Sequence, residues 1–494
     1  MRICHHALSF AHSAGLHLHL RLYFFVIQLY TIPIQDDTPG EKMIVYRPLL
    51  GLAFIGNSSM AELARQIAGS LPYDPPAAEI APQNAEAVSF LENLGFLKPD
   101  PPLPVVPAFQ PTTAVLMLTN SCQLRCVYCY AAAGEMPGRG LSFESGRAVI
   151  DYVFDRTVEN GAAGFEVYLH GGGEPTYHWQ VLQQLVAYTR TLPLPARLSL
   201  TSNGVWSPAQ LDWITANMDG VGISMDGAPA TQDRQRPVKS GQGSSAIVMR
   251  NLAELDRRGF QYGMRITALP PFDSLVEDVR FICQATGAHI IQVEPAYNFQ
   301  RGSLAQPAQQ TAEQFVQAFA ESFEIARGQQ RDLYYSGARP DTVTSRFCKA
   351  PYEAVIVTPD DRIVACYEVV SSRHQLAELS TVGRVVDGKV MLEEKPRQQL
   401  FDLLERRTAT CAGCFCAWSC AGDCYTRAFL DGVERGGEHS LRCEVNRRIT
   451  QHILLSGIER GGGVWRVPRG KGRRIVQTAV VPSGFKPLAE KPSQ

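Results

Sequence analysis

An α/β fold built on a partial, TIM-like (β/α)6 barrel is predicted by three features of the sequence. Between residues 112 and 340, six apolar strand-like runs alternate with amphipathic helical runs. Such alternation implies parallel strands covered by helices. The polar motifs follow the apolar runs directly, where β/α barrels carry their functional loops. Ten of the 13 cysteines fall into two spaced sets, one inside the barrel region and one beyond it.

Composition narrows the classes. At 494 residues the chain exceeds one ordinary domain. Its 47 basic and 48 acidic residues are spread along the sequence. That balance leaves no electrostatic footprint for nucleic acid or an anionic membrane. Clustered thiols in a long chain point to metal ligation in a reducing cytoplasm rather than to a secreted disulfide scaffold.

Residues 1–42 form a doubtful or disordered N-terminal extension. The apolar stretch Leu20 to Ile34 is interrupted by Arg21, Gln28 and Pro33 and is too short to span a bilayer. Histidines precede it and no small-residue cleavage site follows, so it is a poor signal peptide. Met43 directly precedes the first well-patterned segment and is the expected true start. Residues 43–98 read as a small helix-rich module, a short strand at Val45 followed by the helices MAELARQIAGSL and AEAVSFLENLGFL. PDPPLPVVPAFQP, residues 99–111, cannot continue a helix and reads as a semi-rigid linker.

The barrel, residues 112–340, takes its strands from AVLMLT, FEVYLH, RLSLTS, GVGISM, MRITAL and HIIQVE. In the helix Ala312 to Arg327, Phe315, Phe319 and Phe323 recur at i, i+4, i+8 and form one buried stripe. Beyond Phe347 the helical rhythm fades into short β-like segments. Eight cysteines lie between there and Cys443, which suits a metal-stabilised unit over residues 341–455. Residues 456–494, rich in Gly, Arg, Lys and Pro, read as a disordered tail.

After the first barrel strand stands Cys122-Gln-Leu-Arg-Cys126-Val-Tyr-Cys129, a C-x3-C-x2-C loop. Three closely spaced thiolates can hold three irons of a cubane and leave the fourth open to another ligand. The same loop alone suits structural zinc, but zinc takes four ligands and no fourth Cys or His lies nearby in the sequence. After the second strand comes His170-Gly171-Gly172-Gly173-Glu174-Pro175. Its glycines let the backbone approach a ligand, and Glu174 can bind an ammonium group; read blandly, Glu174 is a carboxylate favoured at a helix N-terminus. Thr201-Ser202-Asn203-Gly204 and Ser224-Met225-Asp226-Gly227 follow strands three and four and can hydrogen-bond ribose hydroxyls, or serve merely as turns. Arg265, in strand five, can pair with a carboxylate.

Cys122, Cys126 and Cys129 together with GGGEP resemble the radical S-adenosylmethionine (SAM) superfamily, over roughly Ala114 to Ala296. The resemblance implies a 4Fe-4S cluster on the three cysteines. It implies SAM bound around Tyr128, Gly172, Gly173, Glu174, Ser202, Asn203, Ser224, Asp226 and Arg265, with Tyr128 near adenine. Reductive cleavage of SAM would yield a 5'-deoxyadenosyl radical, with flavodoxin or ferredoxin as electron donor.

The later cysteines resemble a SPASM domain. By that resemblance Cys348, Cys366 and Cys424 hold a first auxiliary cluster, and Cys411, Cys414, Cys420 and Cys443 a second, making three 4Fe-4S clusters. The first set then lacks a fourth cysteine. Cys416 is an addition to the pattern, either a further ligand or a buried bystander. Between the first two cysteines, where the family usually has glycine, the turn is Pro359-Asp360-Asp361.

The layout also resembles anaerobic sulfatase-maturating enzymes, which carry an Asp base after the second of these cysteines. Tyr367 stands there instead, so maturation of a ribosomally made peptide is the favoured reading. The module at 43–98 is similar to PqqD-like domains, which bind leader peptides by strand addition. A different class of reading, an iron-sulfur electron-transfer or scaffold protein, uses the same cysteines without SAM chemistry.

Overall fold

The computed structural model describes residues 27–34, 42–70, 84–106, 108–135, 137–296, 309–430 and 440–467. Cys4 and residues 468–494 lie outside the described residues, as does most of the expected extension. The first three strands are β1 (Tyr30–Pro33), β2 (Met43–Arg47) and β3 (Leu52–Gly56), joined in antiparallel order. Helices Ser58–Ser70 and Ala85–Asn93 cover them, burying Val45, Phe54, Ala64 and Leu91. Phe54 meets Phe90 and Phe96 edge-on at 5.4 and 5.2 Å, a geometry aromatic quadrupoles favour. Arg47 is only 1% exposed, compensated by Asp100 at 2.6 Å and by the carbonyls of Phe96 and Lys98.

The module therefore departs from the sequence expectation of one strand and two helices. β1 lies before Met43, within the stretch set aside as a doubtful extension. With four residues ending in Pro33, it has too little pattern to register, and a proline is tolerated there because the strand is at a sheet edge.

The six expected barrel strands form as β4 (Thr113–Met117), β5 (Phe165–His170), β6 (Ala196–Ser202), β7 (Gly220–Ser224), β8 (Tyr262–Ala268) and β9 (Ile290–Pro295). All five neighbouring pairs are parallel. β10 (Asp332–Tyr334) adds to β9, again in parallel. Local chemistry starts the covering helices: Ser142 accepts from Ser145 N ahead of Phe143–Glu159, and Ser207 forms a reciprocal capping box with Gln210 ahead of Pro208–Asn217. The phenylalanine stripe lies on helix Gln309–Gly328, where Phe319 packs on Phe315, Phe323 and Tyr335.

The sheet does not stop at β4. β11 (Ala354–Val357) takes its free edge in parallel, and β12 (Arg362–Val364), β13 (Thr381–Val386) and β14 (Lys389–Leu392) continue as an antiparallel meander. One eleven-stranded sheet thus runs across the expected boundary at residues 340 and 341. Helical structure also persists beyond Phe347, against expectation: helices Glu394–Ala409 and Leu441–Arg460 follow. Both carry many charged residues, which masks their apolar period.

Helix Leu441–Arg460 packs on Gln309–Gly328, with the His452 ring 5.9 Å from Phe323. The chain then forms β15 (Val464–Arg466), antiparallel to β3, with Trp465 edge-on to Tyr46 at 6.1 Å. Residues 456–467 are therefore ordered structure and not tail. Among the described residues no helix is long and apolar enough to cross a membrane.

Because Phe319 is fully buried within an aromatic cluster, Phe319→Ala should destabilise the barrel by about 3–5 kcal/mol. Urea unfolding followed by tryptophan fluorescence measures this, with Val158→Ala on the exposed face of Phe143–Glu159 expected to change little.

Candidate functional site

The cysteine loop leaves the C-terminal end of β4 and is held on two sides. Residues of the loop pair with the segment after helix Pro229–Gln235: Arg125 N donates to Pro237 O and Val127 N to Gln235 O. On the other side Gly173 N donates to Thr119 O and Glu174 N to Ser121 O. This contact explains the glycines better than a ligand does. A Cβ at Gly173 would lie 2.0 Å from Ser121 O, and one at Gly172 would lie 2.9 Å from Val370 Cβ.

Each thiol of the loop receives a hydrogen bond. Cys122 Sγ accepts from Leu124 N at 3.4 Å and from Asn203 Nδ2 at 3.8 Å, and Cys129 Sγ accepts from Ala133 N at 3.5 Å. Cys126 Sγ accepts from Arg236 Nη1 at 3.9 Å. Burial, then Glu174, Cys126 and Cys129, push the Cys122 thiol up to about 12. N–H donors to sulfur suit a metal-bound thiolate. Among the described residues no three His, Cys, Asp or Glu side chains are placed to hold a single metal ion. The donor set fits a cluster that spreads its ligands over several irons.

Two buried carboxylates organise the floor. Glu174, 2% exposed, accepts from Thr176 Oγ1 and Ser202 Oγ at 2.7 Å and from Asn203 N at 2.8 Å. Burial still pushes its carboxyl above the usual range. Through these bonds Glu174 latches the loop after β5 to the loop after β6. Ser202 is likewise engaged, accepting from Trp206 Nε1 at 2.8 Å.

Asp226, 1% exposed, accepts from Tyr128 Oη at 2.6 Å, from Arg236 Nε at 3.0 Å and from Thr267 N at 3.0 Å. Tyr128 is a buried strut, with the Arg236 guanidinium 5.3 Å from its ring centre. Sequence reading missed Arg236, Thr176 and Gln232, whose Oε1 accepts from Asp226 N. Their only signal was polar character in a segment of helix otherwise unassigned.

Ser224 and Arg265 behave differently. They are register partners on β7 and β8, half-buried, and among the described residues neither makes a side-chain hydrogen bond. Arg265 lies close enough to His170 to act on it: burial and then that guanidinium lower His170 to about 4, so its ring is neutral at pH 7. Thr201 Oγ1 and Gln123 Oε1 are buried polar atoms with no partner among the described residues. A ligand supplying polar groups would satisfy them.

The later cysteines lie in the unit beyond the barrel. Cys348, Cys366 and Cys424 line one cavity of about 40 Å³. Cys366 Sγ lies 3.0 Å from Thr426 Oγ1, and burial followed by Glu368 pushes Cys424 up to about 12. Cys411 is raised by burial and by Cys414 and Cys443, and Cys420 by burial with contributions from Cys411 and Cys443. The Cys416 thiol hydrogen-bonds Cys414 and lowers it. Residues 421–423 all have positive φ, and Asp423 is held at φ 62° by a two-pronged pair with Arg442 at 2.7 and 2.9 Å.

Between the sets lie Tyr130, which is raised by burial, Cys129, Glu368 and Cys366, and Tyr367, whose ring sits 5.5 Å from His170. GGGEP thus packs directly against the segment after Cys366, with Tyr130 close to both Cys129 and Cys366.

Residues 116–282 match the family model described as Radical SAM superfamily. The chain is similar to Fe-coproporphyrin III synthase of Methanosarcina barkeri (strain Fusaro / DSM 804), 31% identical over 151 residues, 30% of this chain and 35% of that protein. The match thus spans about a third of the curated relative's length. Native anSMEcpe with bound AdoMet and Cp18Cys peptide superposes with TM-score 0.54 at 15% identity, covering 71% of this chain and 99% of that one. His6-tagged anSMEcpe with bound AdoMet gives TM-score 0.55 at 14% identity, covering 71% and 95%. Both likenesses are of fold. The matched segment holds the cysteine loop, GGGEP, Ser224 and Arg265, so residues 116–282 form a radical SAM domain.

Proposed function

We propose that this enzyme cleaves SAM reductively at a 4Fe-4S cluster on Cys122, Cys126 and Cys129, and uses the 5'-deoxyadenosyl radical to modify a peptide or protein, in maturing a ribosomally made peptide. The observation that carries this is the meeting of three hydrogen-bonded thiols with the paired, uncommitted Ser224 and Arg265 at one end of the sheet. When bound, the cluster supplies the electron and an open iron for SAM. Arg265 offers a guanidinium to the SAM carboxylate and Ser224 a hydroxyl to its ribose. Glu174 and Asp226 keep the loops in place around them.

A peptide substrate is supported by the nearness of the cysteine loop to the Cys366 segment and by the fold shared with anSMEcpe, whose structure holds a peptide. Cys348, Cys366 and Cys424 are proposed to hold a first auxiliary cluster, and Cys411, Cys414, Cys420 and Cys443 a second. Tyr367 weighs against sulfatase maturation, since burial pushes its hydroxyl well up and it is no base near neutral pH. The N-terminal sheet is proposed as the leader-binding module; because β15 already pairs with β3, an added strand meets β15 itself or the β1 edge. A flavodoxin or ferredoxin in the cytoplasm would supply electrons.

After anaerobic reconstitution and reduction with dithionite, SAM should yield 5'-deoxyadenosine, measured by mass spectrometry. Loaded clusters with no such product would instead support an electron-transfer or scaffold role. Cys126→Ala should abolish cleavage and keep the absorption of the auxiliary clusters. Glu174→Gln should weaken SAM binding about 10–100-fold while iron content holds, because it loosens the latch and removes no ligand; unaltered affinity in equilibrium dialysis would contradict the latch.

A further inference from the structure

Arg236 is a buried cation that the SAM-cleaving reading leaves without a task. It ends the short helix Pro229–Gln235 and is 7% exposed. Its backbone is fixed, the N–H donating to Gln232 O at 2.7 Å and the carbonyl accepting from Ser244 Oγ at 2.7 Å. Its guanidinium is fixed as well. Nε donates to Asp226, whose side chain is fully buried, and the plane lies over Tyr128. Tyr128 Oη and Thr267 N hold Asp226 in turn. One terminal nitrogen, Nη1, points to Cys126 Sγ.

The donors to Cys122 and Cys129 described above are neutral amides, whereas the donor to Cys126 is charged. Reduction adds negative charge to a cluster, so a positive N–H donor to a ligating sulfur stabilises the reduced state. We propose that Arg236 is a positioning residue that sets the reduction potential of the cluster on Cys126, with Asp226 and Tyr128 aiming it. Asp226 tempers the charge and fixes its direction, so the effect reaches the cluster mainly through the hydrogen bond. The proposal rests on the reading of the cysteine loop as a cluster site.

The full chain, reconstituted anaerobically, would be titrated with dithionite while the reduced clusters are followed by electron paramagnetic resonance. The signal lost in Cys126→Ala identifies the cluster in question; if no signal is lost, the cluster reading itself fails. In Arg236→Gln the midpoint of that signal should move to a more negative potential while the auxiliary signals stay in place. Arg236→Lys should return it part of the way, and Tyr128→Phe should move it in the same direction by less. An unmoved midpoint in Arg236→Gln overturns the proposal. Should that variant not assemble its clusters, unmoved midpoints in both Arg236→Lys and Tyr128→Phe overturn it instead.

Discussion

The pairing of β11 with the free edge of β4 is the interaction on which the remaining architecture depends. A six-stranded parallel barrel is too short to close, and its first strand would present unpaired N–H and C=O groups. Ala354 to Val357 satisfy that edge in register with Thr113 to Leu116. The strand that carries the cysteine loop is therefore flanked by β5, which carries GGGEP, and by β11, which leads to Cys366. Sheet register, and not a flexible hinge, fixes the spacing between the two cysteine regions.

Buried charges reinforce that arrangement. Arg427, three residues past Cys424, pairs with Glu294 at the end of β9 at 2.6 Å and with Glu368 at 2.8 Å. Arg442 pairs with Asp423, linking the helix that bears Cys443 to the loop that bears Cys424. Buried pairs of this sort add little net stability against an apolar alternative, but losing one partner is costly. They are better understood as enforcing one geometry of the cysteine-bearing segments relative to the barrel.

The barrel was legible because its strands are buried on both faces and stand out as continuous apolar runs between amphipathic helices. The thiol groups were legible from spacing. What spacing could not convey was the direction in which a polar side chain is used. Glu174 and Asp226 sit in the motifs that announce a ligand site, and both hold neighbouring loops, because a buried carboxylate draws in whatever donors the backbone supplies. Arg236 left no trace, since its partners Asp226 and Cys126 are distant in sequence and meet only through the fold. β1 and β15 escaped for a related reason: each is three or four residues long and becomes a strand only by pairing with β2 or β3.

That last pairing has a temporal side. Phe54 finds its partner at Val464, so the small sheet near the start of the chain cannot be completed until the barrel and every cysteine-bearing segment have left the ribosome. Contacts of such sequence separation form late. β15 acts as a late seal: a chain truncated before it would expose the β3 edge.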